Sequence, residues 1–359
     1  MAIFPTNEYF DQAPGGILIY GAEGLSYANR AALHLLRGCE LPLYPGAPLP
    51  ECFLLPEEAL RKSAAWSTPL VVGGTRLQLF CRRAGEELVV ELHPLAQEGT
   101  LSPDTFRRLS TALRGPLSRL MGMAEALPQG AEAQSRADYQ ARLLQELCRL
   151  QRTSDTLQVY GELLDGVPFS MEAVDLSALC RNLCWELEGP LGAKKVTLQW
   201  VSKATPLVLA NPDLLRKLIL QLVSNSISAR ADRLTLTLTQ QKGVVHLTLT
   251  DNGTGFPSHR LGTAFSPAQA TEGVGEKSLN LGLPLCQQIA ALHGGRLLLS
   301  TQAQGGASCT ILLPLREDLD SRVLAPQQDY SGGLSDLLVE LSDVLPFSQY
   351  GREFLGEFS

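Results

Sequence analysis

The chain has 359 residues, 45% hydrophobic and 19% charged, with a formal net charge of −7. That balance excludes a disordered chain, and the acidic surplus argues against nucleic-acid binding, which needs a basic surface to displace counterions. The length allows two to four modest domains, each with its own core.

No uninterrupted apolar run approaches the roughly 20 residues of a membrane-spanning helix. Met1 to Phe10 lacks the basic stretch and apolar core of a secretory signal. A soluble, cytoplasmic protein is therefore expected, with neither membrane insertion nor a nucleic-acid partner. Eight cysteines are scattered without a C-x-x-C pair, and none follows Cys180 and Cys184 at zinc-ligand spacing. Reduced, mostly buried thiols are the expectation.

Residues 1–99 begin with short strands at Gly16–Tyr20 and Leu25–Tyr27, then a helix from Asn29 to Leu36. Strands at Pro69–Val72, Arg76–Arg82 and Leu88–Leu92 read as an antiparallel meander, with turns at Gly73-Gly74 and Ala84-Gly85-Glu86. Residues 100–166 carry two long amphipathic helices broken at Pro128-Gln129-Gly130. Phe106, Leu109, Leu113, Leu117, Leu120, Ala124 and Leu127 form the stripe of the first. Leu143, Leu147, Leu150, Leu157 and Leu164 form that of the second, with Ser154 in register. A hairpin cannot bury two such stripes alone, so a four-helix bundle with a second copy is expected.

Residues 167–316 alternate helix and strand: helices at Leu176–Glu188, Pro212–Ala229 and Leu281–Leu292, and strands at Val196–Val201, Leu207–Ala210, Leu234–Thr239, Val244–Thr250, Arg296–Ser300 and Ser308–Leu313. Around Gln241-Lys242-Gly243, leucine or valine alternates with threonine, which predicts a hairpin with one buried face. Residues 317–359 form a tail with an amphipathic stretch at Leu334, Leu337, Leu338, Leu341 and Val344. The fold class read from these patterns is α+β, in several domains.

The chemistry concentrates at Asp251-Asn252-Gly253-Thr254-Gly255-Phe256, directly after an alternating strand. A carboxylate there offers an acceptor to an exocyclic amine, and glycines let the backbone approach a flat ligand. Asn225 precedes it on a helix, and Leu281-Gly282-Leu283 and His293-Gly294-Gly295 follow. That order resembles the N, G1 and G2 boxes of the Bergerat-type ATPase domain shared by gyrase, Hsp90, histidine kinases and MutL. The resemblance implies an α/β sandwich binding ATP or ADP with Mg²⁺. Asp251 would hold the adenine amine, Gly253 and Gly255 would shape the base pocket, and Asn225 would hold the metal. Gly282 would open the phosphate-lid hinge. Gln221 stands where the family has Asn or Glu, Ser228 where it has a basic residue, and Ser278 and Asn280 where the G2 box has glycine; Gln221 and Asn280 keep their places in the expected nucleotide site. A plainer reading of the helix remains open, because Asp213, Lys217, Gln221, Ser224 and Ser228 also form a stripe suited to a solvated face.

"FRRLSTALRGPLSRLMGMAEAL" resembles the H box of a histidine kinase dimerisation helix, and residues 1–99 resemble a PAS sensor domain. Aligned through Leu113, Arg114, Pro116 and Leu117, the phosphorylated histidine falls on Thr111, its acidic neighbour on Ala112, and the dephosphorylation residue on Gly115. A threonine hydroxyl without a base is a poor nucleophile toward a phosphoryl group. His34, His93, His246, His259 and His293 are expected in core, loop or turn roles. The resemblance thus implies a homodimeric histidine kinase homologue that binds nucleotide without autophosphorylating and engages a response regulator or another kinase. Transfer in trans to a partner, or a scaffold without nucleotide, are the alternatives.

Overall fold

The computed structural model describes residues 8–11, 13, 15–37, 41–50, 53, 63–72, 75–94, 103–125, 133–256, 261, 264–265, 281–302, 305–315 and 335–351. The class is α+β. Strands β1 (Gly16–Gly21), β2 (Gly24–Ala28), β3 (Ser63–Val72), β4 (Thr75–Ala84) and β5 (Glu87–Pro94) form the N-terminal part, with the short helices α1 (Glu8–Asp11) and α2 (Arg30–Leu35). Asn29 organises this region from a fully buried position. Its Oδ1 accepts from the N–H groups of Ile17 and Ala32, and its Nδ2 donates to Phe10 and Gly15. One side chain thus caps α2 and ties it to β1.

Helices α3 (Pro103–Glu125) and α4 (Ala133–Leu164) follow as an antiparallel pair. The expected stripe of α4 is incompletely covered, since Leu147 and Leu164 remain exposed, as do Leu117 and Met121 on α3. A different face of α4, carrying Ala141, Gln145, Cys148 and Val159, is the buried one. The expected stripe is therefore only half of the helix's packing.

The remaining elements are β6 (Glu172–Asp175), α5 (Leu176–Ala193), β7 (Thr197–Ser202), β8 (Leu207–Ala210), α6 (Pro212–Ser228), β9 (Arg233–Gln241), β10 (Val244–Asp251), α7 (Gly282–Leu292), β11 (Arg296–Gln302), β12 (Ala307–Pro314) and α8 (Asp336–Glu340). Asn211 caps α6 by accepting from Leu214 N–H, with Pro212 in the first turn, where its missing donor is harmless. The β9–β10 hairpin buries Leu234, Leu236, Leu238, Val245, Leu247 and Leu249, the face read from the leucine–threonine alternation. Helix α5 runs past the expected Glu188 to Ala193, with Pro190 inside it.

One ten-stranded sheet, in the order β2-β1-β5-β4-β3-β11-β12-β10-β9-β7, runs through both strand-bearing regions. Among the described strands only β7 and β9 pair in parallel, and a second small sheet joins β6 to β8. The seam lies between β3 and β11, where Leu299 faces Ser67 and Thr301 faces Ala65. Strand β3 begins at Ser63, six residues before the expected Pro69, because this pairing recruits its early residues. No helix among the described residues is long and apolar enough to cross a membrane.

Candidate functional site

Strand β10 ends at Asp251, whose carboxylate is buried behind helix α6. Its Oδ2 accepts from Ser226 Oγ at 2.8 Å, and its Oδ1 accepts from the N–H groups of Gly253 at 2.9 Å and Ala307 at 3.1 Å. An ionised carboxylate offers about four acceptor positions, so one stays available to an exocyclic amine. The donors come from α6, from the turn after β10 and from the start of β12, so three elements fix the carboxylate.

The turn is built of close backbone approaches. A Cβ on Gly253 would lie 2.6 Å from the Ala229 carbonyl oxygen. Gly255 has φ +69°, and a Cβ there would lie 2.8 Å from the Gly306 oxygen. Gly306, at φ +93°, would place a Cβ 2.1 Å from the Asp251 oxygen. These positions need glycine for space, and the last two also for backbone conformation. Asn252 pins the turn from outside, accepting from Asp232 and Arg233 N–H and donating to the Asp232 carboxylate. Thr301 of β11 donates to the Phe256 carbonyl at 3.0 Å.

Asn225 lies on α6 one residue before Ser226. It is half-buried, and its carboxamide has no partner among the described residues, so its oxygen is available as a hard ligand. Helix α7 starts at Gly282 with Leu281 at the N-cap and no side-chain cap, leaving first-turn N–H donors open to an anion. Gln221 is buried, and its Nε2 sits 2.7 Å from where a Gly282 Cβ would be, so a side chain there would displace the end of the Gln221 carboxamide. Its Oε1 accepts from Arg152 of α4 at 2.5 Å. The solvated-face reading of α6 is thereby corrected: Gln221 and Ser224 are buried under α4, while Ser228 alone of the stripe is fully exposed. Asn280 and Ser278 lie outside the described residues, as do the side chains of Thr111 and Ala112.

The structure brings Asn225, Asp251, Gly253 and Gly255 to one end of α6 and β10, and joins Gln221 to Gly282 at the start of α7. Sequence reasoning missed Ser226, Gly306 and Thr301. The Gly305-Gly306 pair between two strands was the available signal for Gly306. Among the histidines, His293 closes α7 as a packing group. Its Nδ1 faces the Ile289 carbonyl at 2.7 Å, and its Nε2 accepts from Asn211 N–H at 2.9 Å. Burial lowers its pKa below the usual 6.5, so the neutral Nδ1–H form is the one that fits. His34 lies on α2, His93 on β5 and His246 on β10, and His259 is outside the described residues. Cys81, Cys148, Cys180, Cys286 and Cys309 are buried thiols and Cys184 is half-buried. The described residues contain no cluster suited to a metal ion.

This α/β unit, with a buried carboxylate behind a glycine turn, matches the family described as "Histidine kinase-, DNA gyrase B-, and HSP90-like ATPase" over residues 210–317. Two relatives from Escherichia coli (strain K12) extend the match. Sensor histidine kinase ZraS is 29% identical over 210 residues, covering 56% of this chain and 43% of that protein. Sensor protein CreC is 29% identical over 208 residues, covering 57% and 44%. Residues 210–317 thus match the ATPase domain of that family, and the chain is similar to sensor histidine kinases over rather more than half of its length. It spans less than half the length of these relatives. Among solved structures, Acinetobacter baumannii histidine kinase AdeS is similar at 17% identity and TM-score 0.46, over 57% of this chain and 97% of that one.

Proposed function

We propose that this protein is a nucleotide-binding regulator of two-component signalling that does not phosphorylate itself. The observation that carries the nucleotide half is the Asp251 carboxylate, fixed by Ser226, Gly253 and Ala307 with one acceptor position left. In this reading Asp251 accepts from the adenine amine, and Gly253 and Gly255 let the base lie against bare backbone. The Asn225 oxygen would hold Mg²⁺, and Gln221 and Gly282 would border the phosphate end, to which the resemblance also assigns Asn280. Uncapped N–H groups of α7 meet the phosphate oxygens. In this reading the chain supplies binding and orientation for the nucleotide.

The regulatory half rests on Thr111, Ala112 and Gly115, which replace the acceptor, its acidic neighbour and the water-positioning residue of the H box. Residues 1–99 are a PAS-like sensor, residues 100–166 the dimerisation hairpin, residues 167–316 the nucleotide-binding domain and residues 317–359 the tail. The partner is a response regulator or another kinase. The exposed apolar side chains of Leu117 and Met121 on α3 and of Leu147 and Leu164 on α4 support pairing with a second copy.

Incubation with radiolabelled Mg-ATP tests the reading. The wild-type chain is expected to form no acid-labile phosphoramidate. A histidine-borne label on it overturns the proposal. The double variant Thr111→His with Ala112→Glu then asks whether the ATPase domain retains transfer competence.

A further inference from the structure

The C-terminal segment is seated where α4 and α6 meet. Leu337, Leu338, Leu341 and Leu345 are buried, as the amphipathic pattern required. Gln145 of α4 donates to the carbonyls of Ser342 and Leu345 at 3.0 and 2.9 Å, and Arg142 stacks 3.9 Å over the Phe347 ring. Charge complements shape. Asp336 pairs with Arg216 and Glu340 with Lys217, both on α6, while Asp343 pairs with Arg152 at 2.7 Å. The segment follows β12, the last strand of the ATPase sheet, in the chain.

Arg152 is the link between the segment and the candidate site. One guanidinium reaches Glu340 at 3.5 Å, Asp343 at 2.7 Å, Gln221 at 2.5 Å and Ser224 at 3.2 Å. Arg152 thus joins the two carboxylates of the segment to Gln221 and Ser224 of α6. The seam also carries features that a permanent core avoids. Glu340 is a buried charge held by ion pairs to Lys217 and Arg152, its Oε2 making no hydrogen bond among the described residues, and the fully buried Ser342 hydroxyl makes none there either. Buried charges and orphaned hydroxyls weaken a packed interface relative to an apolar one, and suit a contact that opens.

We propose that residues 335–351 are an intramolecular latch that competes with nucleotide. Seated, the latch fastens the ATPase domain to α4 and neutralises Arg152 and Lys217 with Glu340 and Asp343. Released, it takes Glu340 and Asp343 away and leaves two uncompensated cations, Arg152 and Lys217, beside the helix that carries Asn225. By linkage, each state then opposes the other equally. This inference rests on the nucleotide-binding reading above.

The test compares ADP affinity by calorimetry for three chains: the full protein, one ending at residue 334, and the full-length double variant Glu340→Gln with Asp343→Asn. Circular dichroism confirms that each is folded, and the double variant carries the test if truncation impairs folding. Both altered chains are expected to bind ADP about fivefold or more tightly than the full protein. Hydrogen exchange without nucleotide is expected to quicken at residues 145–155 and 214–224. Equal or weaker ADP binding by the folded variants overturns the latch while leaving nucleotide binding intact. Absence of ADP binding in all three chains overturns the nucleotide reading, and the latch with it.

Discussion

Ser226 donates its hydroxyl hydrogen to Asp251 at 2.8 Å, fastening helix α6 to the last residue of β10 one position beyond Asn225. The bond sets the Asp251 carboxylate plane, and with it the direction of the acceptor position left for a ligand. Ser226→Ala removes one donor from a buried carboxylate without adding bulk. We expect ADP affinity to fall roughly fivefold, the worth of one hydrogen bond of about 1 kcal/mol. Calorimetry on wild type and variant reads this directly, and an unchanged affinity would show that the hydroxyl orients nothing.

The glycines around this carboxylate separate by mechanism. Gly306 combines φ +93° with a Cβ position 2.1 Å from the Asp251 carbonyl oxygen, whereas Gly243 has φ +75° and open space around it. Gly306→Ala must move the backbone that carries Asp251, and should cost about 3 kcal/mol or more. Gly243→Ala meets only conformational strain, of about 1–2 kcal/mol. Thermal melts should therefore rank wild type above Gly243→Ala and Gly243→Ala well above Gly306→Ala. Equal melting of the two variants would contradict the packing argument.

His293 gives the fold a pH dependence. Its pKa in the folded protein lies below the usual 6.5, because burial disfavours the imidazolium more than the bond to the Ile289 carbonyl favours it. Between the folded and unfolded pKa values the unfolded chain binds more protons. The contribution is fully present above about 6.5 and is lost as pH falls through the folded value. Denaturant unfolding should show falling stability from pH 7 toward pH 5, with a shallower slope in His293→Gln. A slope unaffected by that substitution would remove His293 as its source.

Leu117 and Leu147 are 49% and 40% exposed in the single chain. Leu117→Glu should therefore leave the chain folded yet place a charge in the seam of any four-helix bundle. An unpaired buried charge costs several kcal/mol, enough to dissociate a modest dimer. Light scattering at micromolar concentration should give a dimer for wild type and a monomer for Leu117→Glu, with similar circular dichroism. A monomeric wild type would remove the basis for the bundle.

Local pattern carried most of the fold. The β9–β10 hairpin was legible because leucine and threonine alternate at the strand period, and α6 because Asn211-Pro212 announces its start. Strand β6 was not legible, since only Val174 of its four residues is buried and its partner β8 lies more than thirty residues away. The join between β3 and β11 escaped for the same reason, as backbone pairing between distant strands leaves no periodic signature. The candidate site divided along similar lines. Asp251 and its glycines announced themselves by spacing, whereas Ser226 looked like one more helical serine. The tail's apolar face was plain, but its seat was not, because Gln145 and Arg152 reach it across nearly two hundred residues of sequence.

The central claim is that Asp251 anchors a nucleotide, and ADP titration by calorimetry tests it most directly. The wild-type chain should release heat and saturate, and Asp251→Ala should give none while keeping its circular dichroism. ATP is expected to bind no more tightly than ADP, because Ser228 offers no cation to the terminal phosphate. Silence from the wild-type chain with both nucleotides, or full binding by folded Asp251→Ala, would contradict the account.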